Sequence, residues 1–247
     1  ASRNLRPAER TLLDRVRHAV TCNPFSAERL EADRVIAGAP RGKDRLQTLE
    51  TAVGVVTECL NRLRADGRGS LRDLSGRDRE RLRSGVLFHL FHRHIRDFDA
   101  FIRKQTQAGN ESLPVPFARD VLTELAAYGF SDDEAHRTFA RFYQIRRAYF
   151  FIYFAAYGNS PCMNTLRERL WTNIFTRDLE VYDRYMCDRM EDFSTLLPGE
   201  TGGWARGPPP WQSDAAASSP ATHAGNSSPA ASRKRSSPST SPSSRNP

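Results

Sequence analysis

The chain has few cysteines, few lysines and no long apolar run, and each shortage narrows what it is. Only four of its 247 residues are cysteine. Cys22, Cys59, Cys162 and Cys187 stand far apart with no Cys-x-x-Cys pair, so their spacing indicates neither a zinc site nor a disulfide framework, and a reducing cytoplasmic setting is expected. No apolar signal core opens the sequence. The most apolar stretch, Ala148 to Ala156, is about half the length needed to cross a bilayer, so no membrane contact is expected. Lysine occurs only at Lys43, Lys104 and Lys234 while arginine is abundant, a bias typical of GC-rich genes. No Ser-His-Asp or Cys-His arrangement is legible, so no catalytic residue is assigned.

Hydrophobic residues make up 38% of the chain, and in the last fifth they are only alanines and two tryptophans. The core must therefore come from roughly the first two hundred residues. The net charge of +8 is spread out rather than concentrated. From Gly203 onward, Arg206, Arg233, Lys234, Arg235 and Arg245 oppose only Asp214, which places about half of the excess in the tail. Elsewhere arginines and acids alternate, as in Arg77-Asp78-Arg79-Glu80-Arg81, the pattern of a solvated helix face.

The periodicity predicts an all-α bundle of about eight helices. Pro7 suits the first turn of a helix that carries Leu12, Leu13, Val16 and Val20 on one face and ends at Asn23-Pro24. Ser26 caps a second helix, with Leu30, Val35 and Ile36 inward and Gly38 as its stop. In the third, Leu46, Leu49, Val53, Val56, Leu60 and Leu63 form an a/d seam, read as packing within the bundle rather than as a dimer contact. A single fourth helix is predicted from about Ser75 to Gln105, with Leu82, Val86, Leu90, Phe91, Ile95, Phe98 and Phe101 or Ile102 buried. A short helix follows around Val121 to Leu125. Ser131 and Glu134 then form a capping box for a helix so rich in Phe and Tyr that burial on more than one side is expected. Ser160 and Pro161 begin a helix bearing Met163, Leu166, Leu170 and Ile174, and a last one carries Leu179, Tyr182, Met186 and Met190.

Phe193 to Leu197 is the first strand-like signal, and it runs into Pro198-Gly199-Glu200-Thr201-Gly202. A strand entering a glycine-bounded loop is how a phosphate-binding loop opens: the glycines let main-chain N–H groups converge on phosphates, a Lys reaches the β- and γ-phosphates, and a hydroxyl holds Mg²⁺. Gly199, Glu200, Thr201 and Gly202 supply the opening, but Gly203-Trp204-Ala205-Arg206 brings no Lys. Taken alone, such a loop reads as an ordinary turn.

Two stretches together resemble a known family. Tyr157-Gly158-Asn159-Ser160-Pro161-Cys162-Met163-Asn164-Thr165-Leu166-Arg167 is similar to the segment that opens the AAA+ domain of sigma-54-dependent transcriptional activators: a glycine, then Ser-Pro-x-Met, then an amphipathic helix. In that family a strand and Walker A loop follow, and Phe193 to Gly202 resembles them through the second glycine. The likeness covers about 45 residues, from Tyr157 to Gly202. It implies residues 1–156 as a helical regulatory or sensory domain, residues 157–202 as the truncated start of an AAA+ domain, here one strand of an α/β P-loop fold, and residues 203–247 as a tail. It also implies ATP, Mg²⁺ and sigma-54 RNA polymerase as cofactors and partner of the intact family. As encoded, the chain lacks the Walker A Lys and everything beyond it, so neither cofactor, ATPase activity nor DNA contact is expected of this fragment.

The fit ends abruptly after Gly202, which suggests a change of reading frame. Trp204 (TGG) followed by an Ala205 codon reads, two bases on, as glycine, and suitable codons for Ala205 and Arg206 then give Lys. Shifted frames of GC-rich genes yield the Pro, Ser, Ala and Arg seen here. Either as a frameshift product or as a native linker, the tail buries too little apolar surface to offset its chain entropy and is expected to be disordered.

His89, His92 and His94 raise a metal reading, but His92 and His94 lie about 200° apart around a helix, so helix-flank histidines are expected instead. Arg146-Arg147 among aromatics raises a single-strand-binding reading, against which aromatic stripes at helical spacing read as core. Two functional alternatives remain beside the activator: a self-contained helical interaction module whose partner docks on the Leu46–Leu63 seam or the aromatic helix, and nucleic-acid binding by the basic tail, which salt would weaken steeply.

Overall fold

The computed structural model describes residues 4–109, 111–158 and 160–175. Eight α-helices follow one another in this part of the chain: α1 (Pro7–Thr21), α2 (Ala27–Ala37), α3 (Arg45–Ala65), α4 (Gly76–Arg93), α5 (Ile95–Ala108), α6 (Ala118–Ala127), α7 (Asp132–Ala155) and α8 (Pro161–Ile174), with a 3-10 turn at Leu71–Asp73. No strand occurs among the described residues. The helix expected through Leu179 to Met190, the Phe193–Leu197 strand, the Gly199–Gly202 loop and the tail lie outside them.

Local chemistry sets the boundaries. Pro7 occupies the first turn of α1, where its missing N–H leaves no bond unmade, and Glu9 reaches back to the Arg6 N–H at 2.7 Å. The Ser26 hydroxyl accepts from the Arg29 N–H, and Gly38 ends α2 in the left-handed conformation at φ 61°. Asp44 accepts from the N–H groups of Leu46 and Gln47. Ser131 and Glu134 cap α7 reciprocally, and Ser160 accepts from the Met163 N–H at the start of α8.

Helices α1 to α4 pack on one another, with α1 against α2 and α4 and α3 against α2 and α4. Helices α5, α6 and α7 continue the same apolar core, which runs from Leu5 to Phe142. Leu13, Val16, Val56, Leu63, Leu82, Val86, Leu90, Phe98, Val121 and Leu125 are fully buried in it. Each such side chain contributes about 1.5–3 kcal/mol relative to exposure, so this cluster dominates the energetics. A smaller cluster of Ile145, Ala148, Trp171, Ile174 and Phe175 joins α7 to α8. As the ring density predicts, α7 is buried on more than one side. Phe139, Phe142 and Tyr143 meet rings of α4 and α5, while Tyr149 stacks on Phe25 in the α1–α2 turn at 4.8 Å.

Three sequence expectations are corrected. The single helix expected from Ser75 to Gln105 is two, because the chain breaks at His94 (φ −99°, ψ 10°). The His94 ring is buried, bonded to Asp97 at 2.9 Å and stacked on Phe117 ahead of α6, and these contacts redirect the chain. In α2 the buried face is Ala32, Asp33 and Ile36, while Leu30 and Val35 are 37% and 36% exposed. Asp33 turns inward because Arg29 neutralises it one helical turn away, at 2.9 Å. The α3 seam packs within the bundle from Val56 to Leu63, but Leu46 at its start is 63% exposed.

Candidate functional site

The described half of the family resemblance is the junction where α7 gives way to α8. Gly158 has φ 117°, a conformation that side chains with a Cβ rarely adopt, and it returns the chain toward Met163. Ser160 then caps α8 and Pro161 occupies its first turn. Arg167, further along α8, folds back: its Nη2 donates to the carbonyls of Ala156 at 2.6 Å and Gly158 at 2.7 Å, and its Nη1 donates to Asn164 Oδ1 at 2.8 Å. A buried cation thus satisfies main-chain oxygens at the negative end of α7, with its guanidinium 5.3 Å from the Tyr153 ring.

Helix α8 is also fixed to the other end of the chain. The Asn23 amide donates to the Glu168 carbonyl at 2.9 Å and to Thr172 Oγ1 at 3.2 Å. Phe25 lies edge-on to Trp171 at 6.1 Å while stacking on Tyr149. The α1–α2 turn, α7 and α8 therefore meet in one place.

Gly199, Glu200, Thr201 and Gly202 lie outside the described residues, and no geometry is assigned to them. The three histidines of the α4–α5 region have separate partners. His89 Nδ1 is 2.9 Å from Thr57 Oγ1, His92 Nδ1 donates to the Phe88 carbonyl at 2.7 Å, and His94 Nδ1 meets Asp97. Burial holds His89 below the usual imidazole pKa, and burial beside Arg29 pushes His92 down to about 3. The His89 and His92 rings are therefore neutral at physiological pH. Arg146 grips Asp99 of α5 with two bonds, at 2.6 and 2.7 Å, and lies 4.7 Å from the Tyr149 ring, so both its charge and its flat face are engaged within the protein.

Sequence spacing did not reveal one cluster. His18 and Cys22, four residues apart at the end of α1, meet Glu28 in the first turn of α2. The Asn23–Ser26 turn brings the three together, and cysteine spacing alone gives no hint of it; the His-x-x-x-Cys pair on a helix is the signal that could have. No helix among the described residues is long and apolar enough to cross a membrane. No family model matches the chain, and comparisons with curated proteins and with solved structures return no match.

Proposed function

We propose that this chain is the helical regulatory region of a sigma-54-dependent AAA+ transcriptional activator, joined to an ATPase domain cut short within its Walker A loop. The observation that carries the reading is the order of two signals. A Gly-x-Ser-Pro-x-Met helix start at Gly158 to Met163 precedes a strand-like segment that enters Gly199-Glu200-Thr201-Gly202. The first signal is more than a string of letters. Gly158, Ser160, Pro161 and Arg167 each have a conformational task at the α7–α8 junction.

In this reading the regulatory region biases an ATPase ring that remodels sigma-54 RNA polymerase, and the present chain lacks the means to do so. It has no Walker A Lys to neutralise phosphate charge and no following hydroxyl for Mg²⁺, so it is not an ATPase as encoded. ATP turnover tests this. The purified chain is expected to release no phosphate above a protein-free control. A version joined after Gly202 to an AAA+ continuation from the same gene is expected to hydrolyse ATP, at a rate that deletion of residues 1–156 changes. Hydrolysis by the chain as it stands, or a joined protein indifferent to that deletion, contradicts the reading and favours a self-contained interaction module.

A further inference from the structure

We propose that His18, Cys22 and Glu28 form a zinc site that staples the end of α1 to the start of α2. His18 Nε2 lies 3.8 Å from Cys22 Sγ and 3.5 Å from Glu28 Oε1, and the three donor atoms all lie within 4.8 Å of one another. Around a tetrahedral zinc, with bonds of about 2.0–2.3 Å, donor atoms are separated by about 3.3–3.6 Å. Closing the cluster on a metal needs donor-atom shifts of at most about 1 Å, by side chains of which two, His18 and Glu28, are exposed and free to adjust.

The framework is already rigid. Asn23 Oδ1 accepts from the Phe25 N–H at 3.0 Å, the Ser26 N–H donates to the Asn23 carbonyl at 3.0 Å, and the Phe25 ring is clamped by Tyr149 and Trp171. The donors are therefore preorganised by contacts that do not involve them. A thiolate, an imidazole and one carboxylate suit a borderline-soft cation such as zinc and discriminate against Mg²⁺ and Ca²⁺, which take oxygen donors. Three protein ligands leave a fourth position for water. His18 and Glu28 also line a groove of about 540 Å³ between α1 and α2, whose other walls include Asp14, Arg15 and Glu31.

Without metal, the Cys22 thiol donates to the His18 carbonyl at 3.3 Å, and burial, together with the adjacent Glu28, holds its pKa above the usual thiol range. Zinc binding exchanges that thiol proton for a sulfur–metal bond and releases one proton to solvent. The competing account is an exposed His18–Glu28 ion pair, worth little and making no use of Cys22.

Titration of the tag-free, chelator-stripped full chain with Zn²⁺ by calorimetry and with Co²⁺ by absorption tests the site. One metal per chain is expected, with a thiolate-to-cobalt charge-transfer band and a melting temperature raised by about 5–10 °C at a hundredfold excess over Kd. Cys22→Ser abolishes the band, and Cys22→Ser, His18→Ala and Glu28→Gln each weaken zinc at least about tenfold, the loss typical even of an outer-sphere partner. Cys59→Ser, Cys162→Ser and Cys187→Ser retain both. In the unmutated chain, bound zinc protects Cys22 from alkylation, a readout that does not depend on a variant folding. Absence of the band, its survival in Cys22→Ser, or alkylation of Cys22 at an unchanged rate overturns the proposal.

Discussion

The Arg68 guanidinium grips the Glu9 carboxylate with two parallel bonds, Nη1 to Oε2 at 2.9 Å and Nη2 to Oε1 at 2.8 Å. This joins the first turn of α1 to the loop after α3, and Arg68 also reaches Asp66 at 2.9 Å and the Asn4 carbonyl at 3.3 Å. Arg68 is buried, so Arg68→Met leaves the partly buried Glu9 with only the distant, exposed Arg6 guanidinium at 3.8 Å. A loss of about 3 kcal/mol at pH 7 is expected, measured by urea unfolding. The bonds from Arg68 hold the Glu9 carboxyl below its ordinary range. That stabilisation is complete above the unfolded pKa of about 4.3 and is lost as pH falls through the lower folded value. The urea midpoint of the unmutated chain should therefore drop on acidification below about pH 4.5, and that of Arg68→Met should drop less.

His92 titrates in the opposite setting. Its pKa is pushed down to about 3 by burial and by Arg29, so the folded ring stays neutral while the unfolded ring takes up a proton below about pH 6.5. Stability carried by this group is present above that pH and declines below it, by about 2 kcal/mol at pH 5. Nuclear magnetic resonance should find the His92 ring neutral at pH 5, with its single proton on Nδ1, the atom facing the Phe88 carbonyl. An imidazolium shift at that pH contradicts the packing described for α4.

Two glycines in helix interiors should respond in opposite directions to alanine. A Cβ on Gly85 of α4 would come within 2.5 Å of Leu13 Cδ2, a fully buried side chain of α1, whereas one on Gly54 of α3 meets nothing within 4 Å. Gly85→Ala is expected to cost about 1–3 kcal/mol through overpacking. Gly54→Ala is expected to add about 0.5–1 kcal/mol by restricting the unfolded chain and favouring helix. Chemical denaturation of the two variants in parallel checks both signs.

Arg167→Ala should unseat α8 and leave the four-helix packing of α1 to α4 intact. It removes the donors to Ala156 and Gly158, while the core of α1 to α4 lies elsewhere. Hydrogen exchange is the measurement: amides of α8 should lose protection while those of α3 and α4 keep it. Lysine should not restore the protection, because a single ammonium lacks the forked geometry that reaches both carbonyls and Asn164 together.

Several helix boundaries were legible where one residue does the capping, although the Asp44 cap of α3 was not. Ser26, Gly38, the Ser131–Glu134 box and the Ser160-Pro161 start act over three or four residues, a range the sequence displays directly. The break at His94 was hidden because the apolar period continues across it, from Leu90 through Ile95 to Phe98, while its cause lies on a different element, at Phe117. The face of α2 was misread because hydrophobicity favours Leu30 and Val35. The structure instead turns in Asp33, whose charge is made tolerable chiefly by the Arg29 pairing. The His18–Cys22–Glu28 cluster was missed for the same kind of reason, since its third member arrives only when two helices fold together. The incomplete phosphate loop at Gly199 to Gly202 is read from the sequence alone.

The coding DNA tests the account most directly. Read in the alternative frame just beyond the Gly202 codon, it should yield a glycine and a lysine codon side by side, followed by an open reading frame for the remainder of an AAA+ ATPase. Stop codons or unrelated sequence in that frame, with no lysine beside the glycine turn, would contradict it.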